Sequence, residues 1–523
     1  MEMQPQNTND HAKCESVANG NALSTPARTI EPQHIALLPT ELLREIFLNA
    51  ISGEPDLNTF GVYQSWFSMS LRISAVCRLW RDVALDTKQL WAFFAVYLDK
   101  RAKDPVELFL ERSGDTPLSL VMTSTDVDGQ GDVELLNLLI KHSFRWISID
   151  YHDIFDSDLR AYLIRNLDDE GLPLLEGVVC DSDVDPDRVI IENQLKSSRH
   201  LDTIIVRYVF YSRIEISSLP LSHPEFKNLI IQHNRDGCLQ NFLEILVVCG
   251  RNITNLTYEY STNTLSPNSV PRSIHTPLTP ENKPGPVTCS ARKFNFSLWD
   301  SEGTYPLLTD TLDCLTLPSL TDLRIWGDCE NDKQFRGSWP KSSLDSFFAR
   351  SRCVLTSLKV SGMPVSGEDI LSLLKHTPHL HTFFFTELFA NDYYIPHQSV
   401  PQVLVKSITK SFVEAFRLVD PLLPVTSASD KDPKPGQDVR DVLLPRLKRL
   451  KFRVQQHFDA DVEFVEMVRS RRSIDYKHGI QRLCSVSLNV LNKVLEGSVY
   501  EPLKELDKEG LMVVVHGDGM VVV

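Results

Sequence analysis

The sequence predicts an α/β chain: a short helical module near the N-terminus, then an irregular solenoid of strand–helix units with parallel strands on the inner curve. Three observations predict it. Short apolar runs recur along the chain in one frame, hydrophobic-x-x-hydrophobic-x-hydrophobic. The intervals between them carry apolar residues at steps of three and four, the spacing of one helix face. Two amphipathic segments precede the first run, between Ile35 and Trp91.

Composition sets the outer limits. With 523 residues, 42% hydrophobic and 24% charged, the chain exceeds the size at which one compact core stops growing, so several modules or an elongated repeat are expected. A formal net charge of -15 argues against a protein that binds nucleic acid by neutralising phosphates. It favours basic rather than acidic partners. The ten cysteines are scattered without a Cys-x-x-Cys pair, which points to a reducing compartment. The N-terminal residues lack an apolar leader-like core, and some eighteen consecutive apolar residues occur nowhere. A cytoplasmic or nuclear protein, free of membrane, is the expectation.

Residues 1–33 are rich in Asn, Gln, Ser, Thr and Pro and poor in large apolar side chains. Ordering them would bury too little surface to offset the lost chain entropy, so they read as a disordered tail.

Residues 35–91 form the helical module. In its first segment Leu38, Leu42, Leu43, Ile46 and Phe47 share a helix face, and Pro39, Thr40 and Glu41 suit a first turn. In the second, Ser74 to Ala84, the apolar stripe is Val76, Leu79, Trp80 and Val83, with Arg72, Arg78, Arg81 and Asp82 on the remaining arc. Helices this short cannot stand alone. They pack on the rest of the chain, on a partner, or on both. Between them, Ser52 to Ser70 reads as a connector, with Gly53, Pro55, Asn58 and Gly61 as turn residues and Tyr63, Trp66 and Phe67 as apolar ones.

The order Leu38-Pro39-x-Glu41-Leu42-Leu43-x-x-Ile46-Phe47, then Val76-Cys77-Arg78-x-Trp80-Arg81-Asp82-x-Ala84, then Leu90-Trp91, resembles an F-box. This is the module by which substrate receptors dock on a Skp-type adaptor, and through it on a cullin, in ubiquitin ligases. The resemblance implies adaptor binding through Leu38, Pro39, Leu42, Leu43, Ile46, Phe47, Val76, Cys77, Trp80 and Trp91, some of which would also face the following repeats. The Ser52–Ser70 connector departs from the pattern by its length. An ordinary helical cap on a larger domain is the alternative.

Residues 92–116 are expected as a helical connection and 117–523 as the solenoid. Leu118 to Met122 is its first candidate strand. The frame then opens at Phe144, Leu175, Leu201, Phe226 and Ile253, and again at Leu320, Leu355, Leu380, Leu447 and Leu483. Away from interruptions these starts are about 25 to 36 positions apart; the shorter steps fall in the range of roughly 20–29 typical of leucine-rich repeats. Helical patterns occupy Val133–His142, Leu239–Val248, Ser343–Arg350, Glu368–His376 and Asp461–Arg471. Two polar, Pro-containing stretches, 261–290 and 421–437, read as insertions.

One strand and one helix cannot bury their own apolar faces, whereas stacked units bury a continuous core. The repeats therefore resemble degenerate leucine-rich repeats. An ordinary α/β domain with buried parallel strands gives the same alternation, and the shared frame favours the solenoid. Together the two regions resemble the leucine-rich-repeat F-box proteins expanded in mushroom-forming fungi, as do Leu108 to Gly114 before Pro117-Leu118 and Glu509-Gly510-Leu511.

No catalytic constellation accompanies this frame. There is no phosphate-binding glycine loop and no Gly-x-Ser-x-Gly. Asp181, Asp183, Asp185 and Glu192 outline a calcium loop, but Pro186 stands where the sharp turn needs glycine. His376, His379 and His381 are interrupted by Pro378 and lack a ligand set for zinc. Neither cofactor nor metal is expected, and Cys77 reads as a packing residue. The basic clusters Arg446 to Arg453 and Arg469 to Arg472 read as solvated faces. The resemblance implies a substrate receptor that holds a client protein through outward residues of the strands, such as Arg324, Trp326, Lys359 and Arg453, and is not itself an enzyme. A non-degradative interaction scaffold on the same solenoid is the alternative, and a hydrolase or transferase with a dispersed site is the third possibility.

Overall fold

The computed structural model describes residues 38–52, 63–98, 102–124, 133–154, 157–167, 172–181, 198, 200–208, 226–233, 238–261, 278, 281, 283–299, 305–328, 338–387, 406–418, 442–473, 480–518 and 520–521. The expected tail (1–33), most of the insertion at 261–290, that at 421–437, and the Asp183–Glu192 part of the calcium outline lie outside these residues.

Three helices open the fold: α1 (Thr40–Ser52), α2 (Tyr63–Ala75) and α3 (Arg78–Asp86), followed by a single 3-10 turn at Lys88–Trp91. The chain then alternates between a sheet and a covering layer. The strands are β1 (Phe93–Tyr97), β2 (Leu118–Ser124), β3 (Trp146–Ile154), β4 (Gly177–Asp181), β5 (Thr203–Tyr208), β6 (Asn228–His233) and β7 (Asn255–Ser261). They continue as β9 (Lys293–Trp299), β11 (Asp322–Asp328), β12 (Ser357–Ser361), β13 (Thr382–Thr386), β14 (Arg449–Val454), β15 (Ser485–Val490), β16 (Met512–Gly517) and β17 (Met520–Val521). Two short strands, β8 (Val287–Thr288) and β10 (Leu315–Thr316), pair with each other in the covering layer.

Among the described residues the main sheet has fifteen strands in strict chain order. Every pairing is parallel except β16 with β17, which turn back as a hairpin at the far edge. An open α/β domain whose chain reverses within the sheet would break that order, so the strand order decides for a solenoid.

From Leu201 to Leu488 the three frame residues of the repeats are buried, as at Leu201, Ile204 and Val206; Leu320, Leu323 and Ile325; Leu380, Phe383 and Phe385; and Leu483, Val486 and Leu488. A strand alternates every two residues, yet the first two frame positions are three apart. The backbone explains the extra residue. The carbonyl of Glu176 accepts the N–H groups of both Asp202 and Thr203, at 3.0 Å each; that of Asp202 accepts from Lys227 and Asn228, at 2.9 and 2.8 Å. The same arrangement repeats at Lys227, Thr254, Arg292, Thr321, Thr356, His381 and Lys448. Two successive amides of one repeat thus share a carbonyl of the preceding repeat, which inserts one residue before the alternation begins. At the last unit Leu511 and Val513 are only two apart, and Met512 alone donates to Cys484.

Helices fill the covering layer: α4 (Lys103–Ser113), α5 (Val133–Ile140), α6 (Ser157–Asn166), α7 (Cys238–Cys249), α8 (Tyr305–Asp313), α9 (Lys341–Ser351), α10 (Gly367–Lys375), α11 (Lys410–Glu414), α12 (Asp461–Ser473) and α13 (Gly497–Lys508). Consecutive helices pack on one another from α8 to α13, so one core of strand and helix side chains runs through the stack. Each fully buried apolar side chain contributes roughly 1.5–3 kcal/mol.

Several expectations change. The 92–116 connection contains β1 before α4, and β1 pairs with β2. The frame does not start at Phe144, which is 58% exposed; Trp146 is buried instead. The register jumps there from Leu118↔Trp146 to Ser119↔Ser148, so Ile147 is an extra residue, a β-bulge that displaces the pattern. The Ser52–Ser70 connector includes the start of α2, and Ser74–Ala84 is split at Val76-Cys77 rather than forming one helix. β9 adds a repeat beyond those the frame marks, because Ala291 occupies its first position; it is buried like its larger counterparts. Arg471 is wholly buried, not solvated.

The roots of the long interruptions are held by buried and half-buried polar groups. Glu387, at the end of β13, accepts the N–H groups of Ser407 and Ile408 on Oε1 (3.1 Å each) and of Gln455 on Oε2 (2.9 Å). Arg471 donates to the carbonyls of Phe416, Leu444 and Leu443 at 2.6, 3.1 and 2.6 Å, and desolvation lowers its pKa to about 10. Leu444 is in the left-handed region, φ 51°, a conformation its side chain disfavours. On α8, the Asp310 carboxylate accepts the Leu278 N–H at 3.0 Å and Asp313 pairs with Lys283. Among the described residues, no helix is long and apolar enough to cross a membrane.

Replacing Arg471 with Met leaves three buried carbonyls unsatisfied, so Arg471→Met is expected to cost about 3 kcal/mol, read from denaturant unfolding. Gly362 has φ +66°, and a Cβ there would lie 1.9 Å from the Gly327 carbonyl oxygen. Gly362→Ala is expected to destabilise by about 1–3 kcal/mol from backbone strain alone, visible as a lowered thermal midpoint.

Candidate protein-docking surfaces

Two surfaces are candidates for binding: the outside of the N-terminal helices and the face of the sheet opposite the covering layer.

Helix α1 is apolar on two sides. Leu43 (0% exposed) and Phe47 point into the core, whereas Leu42 (51%) and Ile46 (48%), one turn apart, point outward. Phe47 meets Trp80 of α3 with ring centroids 4.9 Å apart. Arg44 and Asp86 form an ion pair between α1 and the end of α3, at 2.5 Å. Cys77 is exposed and starts α3: instead of packing, its Sγ accepts the Trp80 N–H at 3.5 Å as the cap of the helix.

Trp91 is fully buried. Its indole N–H donates to the Ala84 carbonyl at 2.8 Å, its ring lies 5.1 Å from that of Phe109, and the Arg112 guanidinium sits 4.3 Å over its face. The Ser70 hydroxyl donates to the Leu90 carbonyl at 2.6 Å. The module is thereby joined to β1 and α4 and covers the first edge of the sheet.

The ten residues that the F-box resemblance points to are therefore divided. Pro39, Leu42, Ile46, Val76 and Cys77 are exposed, and Leu38 and Trp80 are half-buried. Leu43, Phe47 and Trp91 have their contacts within the chain, and no partner reaches them without unfolding the module. Leu43 and Phe47 hold α1 to the rest of the module, and Trp91 joins the module to α4.

On the second surface, strand residues between the frame positions face away from the core. Pairing aligns them in rows, one of which reads Thr257, Asn295, Arg324, Lys359, Phe384, Lys451, Ser487 and Val514. Toward the N-terminal half the rows are joined by side-chain hydrogen bonds. Asn255 Nδ2 donates to Asn228 Oδ1 at 2.5 Å, Asn228 Nδ2 to Thr203 Oγ1 at 2.9 Å, and Asn295 Nδ2 to Thr257 Oγ1 at 3.1 Å. Arg324 and Trp326 are half-buried, while Lys359 and Arg453 are exposed; all four lie on this face.

The perturbed thiols and histidines among the described residues belong to burial and packing. Burial pushes the Cys249 thiol up to about 12 and those of Cys289, Cys314 and Cys353 up to about 11, the opposite of nucleophile activation. His376 stacks on Phe348 and contacts Asp345 through Nε2 at 2.8 Å, in the covering layer. Partial burial, then the charges of Lys448 and Arg446, hold the His381 pKa below the usual imidazole value. Among the described residues no three His, Cys, Asp or Glu side chains converge as a metal site would require.

No family model matches the sequence, and comparison with curated proteins finds no match. Among solved structures, the leucine-rich repeat-containing protein LegL7 from Legionella pneumophila is similar at 11% identity and a TM-score of 0.31, over 67% of this chain and 93% of that one. The leucine-rich-repeat-like fold rests on the strand order and frame described above.

Sequence reasoning missed the shared-carbonyl turns and the buried Glu387 and Arg471. A polar residue two places after the first frame position, as at Thr203, Asn228 and Asn255, is the signal that locates the side-chain ladder.

Trp91→Ala removes the ring that joins module to solenoid and is expected to cost about 3–5 kcal/mol. Native-state proteolysis checks it, with earlier cleavage in the N-terminal module and the far repeats unaffected.

Proposed function

We propose that this chain is a protein-interaction scaffold whose N-terminal helices dock, in F-box manner, on a Skp-type adaptor of a cullin-based ubiquitin ligase, and whose open sheet face holds a client. The observation that carries the reading is the two-sided apolarity of α1. Leu43 and Phe47 are buried, whereas Leu42 and Ile46 on the other side of the helix each leave about half of their surface outward. Val76, 59% exposed at the start of α3, adds to the same class of outward apolar residues. Each belongs to the motif that resembles an F-box.

The mechanism is proximity. The chain performs no bond chemistry of its own; it holds a client near a ubiquitin-charged enzyme brought by the complex and so raises the effective concentration of the reacting groups. A second reading, a non-degradative scaffold with the helices as a cap, is favoured by the burial of Trp91 against the first repeat. It leaves Leu42 and Ile46 unexplained. The two readings differ in whether a client's half-life lengthens when this protein is deleted.

Co-purification with a Skp-type adaptor tests the docking. The full chain is expected to retain the adaptor, and Leu42→Asp combined with Ile46→Asp to release it with the thermal midpoint unchanged. Leu43→Asp is expected to unfold the module instead. No adaptor on the wild-type chain, or equal recovery with the double variant, sinks the proposal.

A further inference from the structure

We propose that the open face from β11 to β14 binds an acidic extended segment of a partner protein, with an apolar residue among its carboxylates. This rests on the reading of the open face as the partner surface and adds its chemistry.

The whole chain is acidic, at -15, yet this region is not. Across β11 to β14 the outward positions with described side chains hold Arg324, Lys359, Arg449, Lys451 and Arg453 against one carboxylate, Asp322. Asp322 Oδ1 is 3.5 Å from Arg324 Nε. Across β5 to β9 the same positions balance Lys293 against Glu259. Among the described side chains of β5 to β14, the excess of basic charge therefore lies in β11 to β14.

The register makes it compact. Lys359 lies beside Arg324 on the next strand and beside Phe384 on the one after, and Lys451 follows Phe384. Neighbouring strands are about 4.8 Å apart and alternate residues of one strand about 6.8 Å. Lys359, Arg449 and Lys451 are exposed, and none forms an ion pair among the described residues. Like charges this close repel, and an anionic segment laid across them removes that repulsion. The half-buried Phe384 ring, set between Lys359 and Lys451, offers the segment one apolar contact. At the margin of the patch the His381 pKa is lowered by partial burial and then by the charges of Lys448 and Arg446, which add to the cations of this face.

Whole-chain charge favours basic partners, whereas the local field is what a bound segment meets within a Debye length of about 8 Å. Nucleic acid is disfavoured because a long polyanion also encounters the acidic remainder of the chain.

Fluorescence anisotropy with the full chain tests the proposal, using a labelled peptide of Glu and Asp around one Phe, a Lys/Arg counterpart of equal length and a single-stranded RNA. The acidic peptide is expected to bind, more weakly as salt rises, and Lys359→Glu with Lys451→Glu to lose about tenfold or more in affinity. Lys359→Gln with Lys451→Gln should fall between, all at an unchanged thermal midpoint. Binding of the basic peptide or the RNA at least as tightly as the acidic one, or an acidic peptide indifferent to both variant pairs, overturns it. If no peptide binds while the adaptor co-purifies, the chemistry proposed for this face fails and the docking reading stands. If the acidic peptide binds without an adaptor, the reverse holds.

Discussion

The carbonyl shared by two successive amides of the next repeat is the interaction on which the rest of the structure depends. Parallel strands have no tight turn to set their register; each must return across a connection of a dozen or more residues. Here register is set at the entrance to each strand, from Glu176 to Lys448, by hydrogen bonds that need no particular side chain. That is why repeats of very different length and sequence stack in one sheet. It also fixes which residues point outward, because a slip of one position would exchange the buried and open faces.

A backbone device of this kind tolerates interruptions only if the chain returns to the same place afterward. Glu387 and Arg471 serve that purpose around the segments between β13 and β14, and Asp310 and Asp313 do so ahead of β9. Burying such groups is unfavourable unless their hydrogen bonds are satisfied. Each is satisfied mainly by backbone or by an opposite charge on the returning chain. Long connections can then change with little effect on the strands, and loops of that sort are where interaction proteins vary. The same logic orders the ends, where Trp91 and its neighbours cover the β1 edge and the β16–β17 hairpin turns back at the other.

Much of this was legible in the residues because apolar periodicity is a property of burial. The frame opening at Leu201, Leu320 or Leu483 marks strands directly, and the helices at Val133, Leu239 and Asp461 follow from steps of three and four. What escaped did so for physical reasons. Ala291 is as buried as leucine but does not stand out in sequence. The bulge at Ile147 moves the buried residue from Phe144 to Trp146. Arg471 has the composition of a surface and the surroundings of a core, because its partners are distant carbonyls. Of the candidate docking residues, the motif order alone did not separate Leu42 and Ile46 from Leu43 and Phe47; the side of α1 that meets the core did. The basic patch was visible only as scattered cations until register aligned them.

Hydrogen exchange resolved to single amides tests the shared-carbonyl register most directly. The account predicts that both amides of each pair, Asp202 and Thr203 through Cys484 and Ser485, exchange slowly, with Lys448 and Arg449 protected as well as pairs remote from any long connection. Fast exchange at the second amide of the pairs, or a break in protection between β13 and β14, would contradict it.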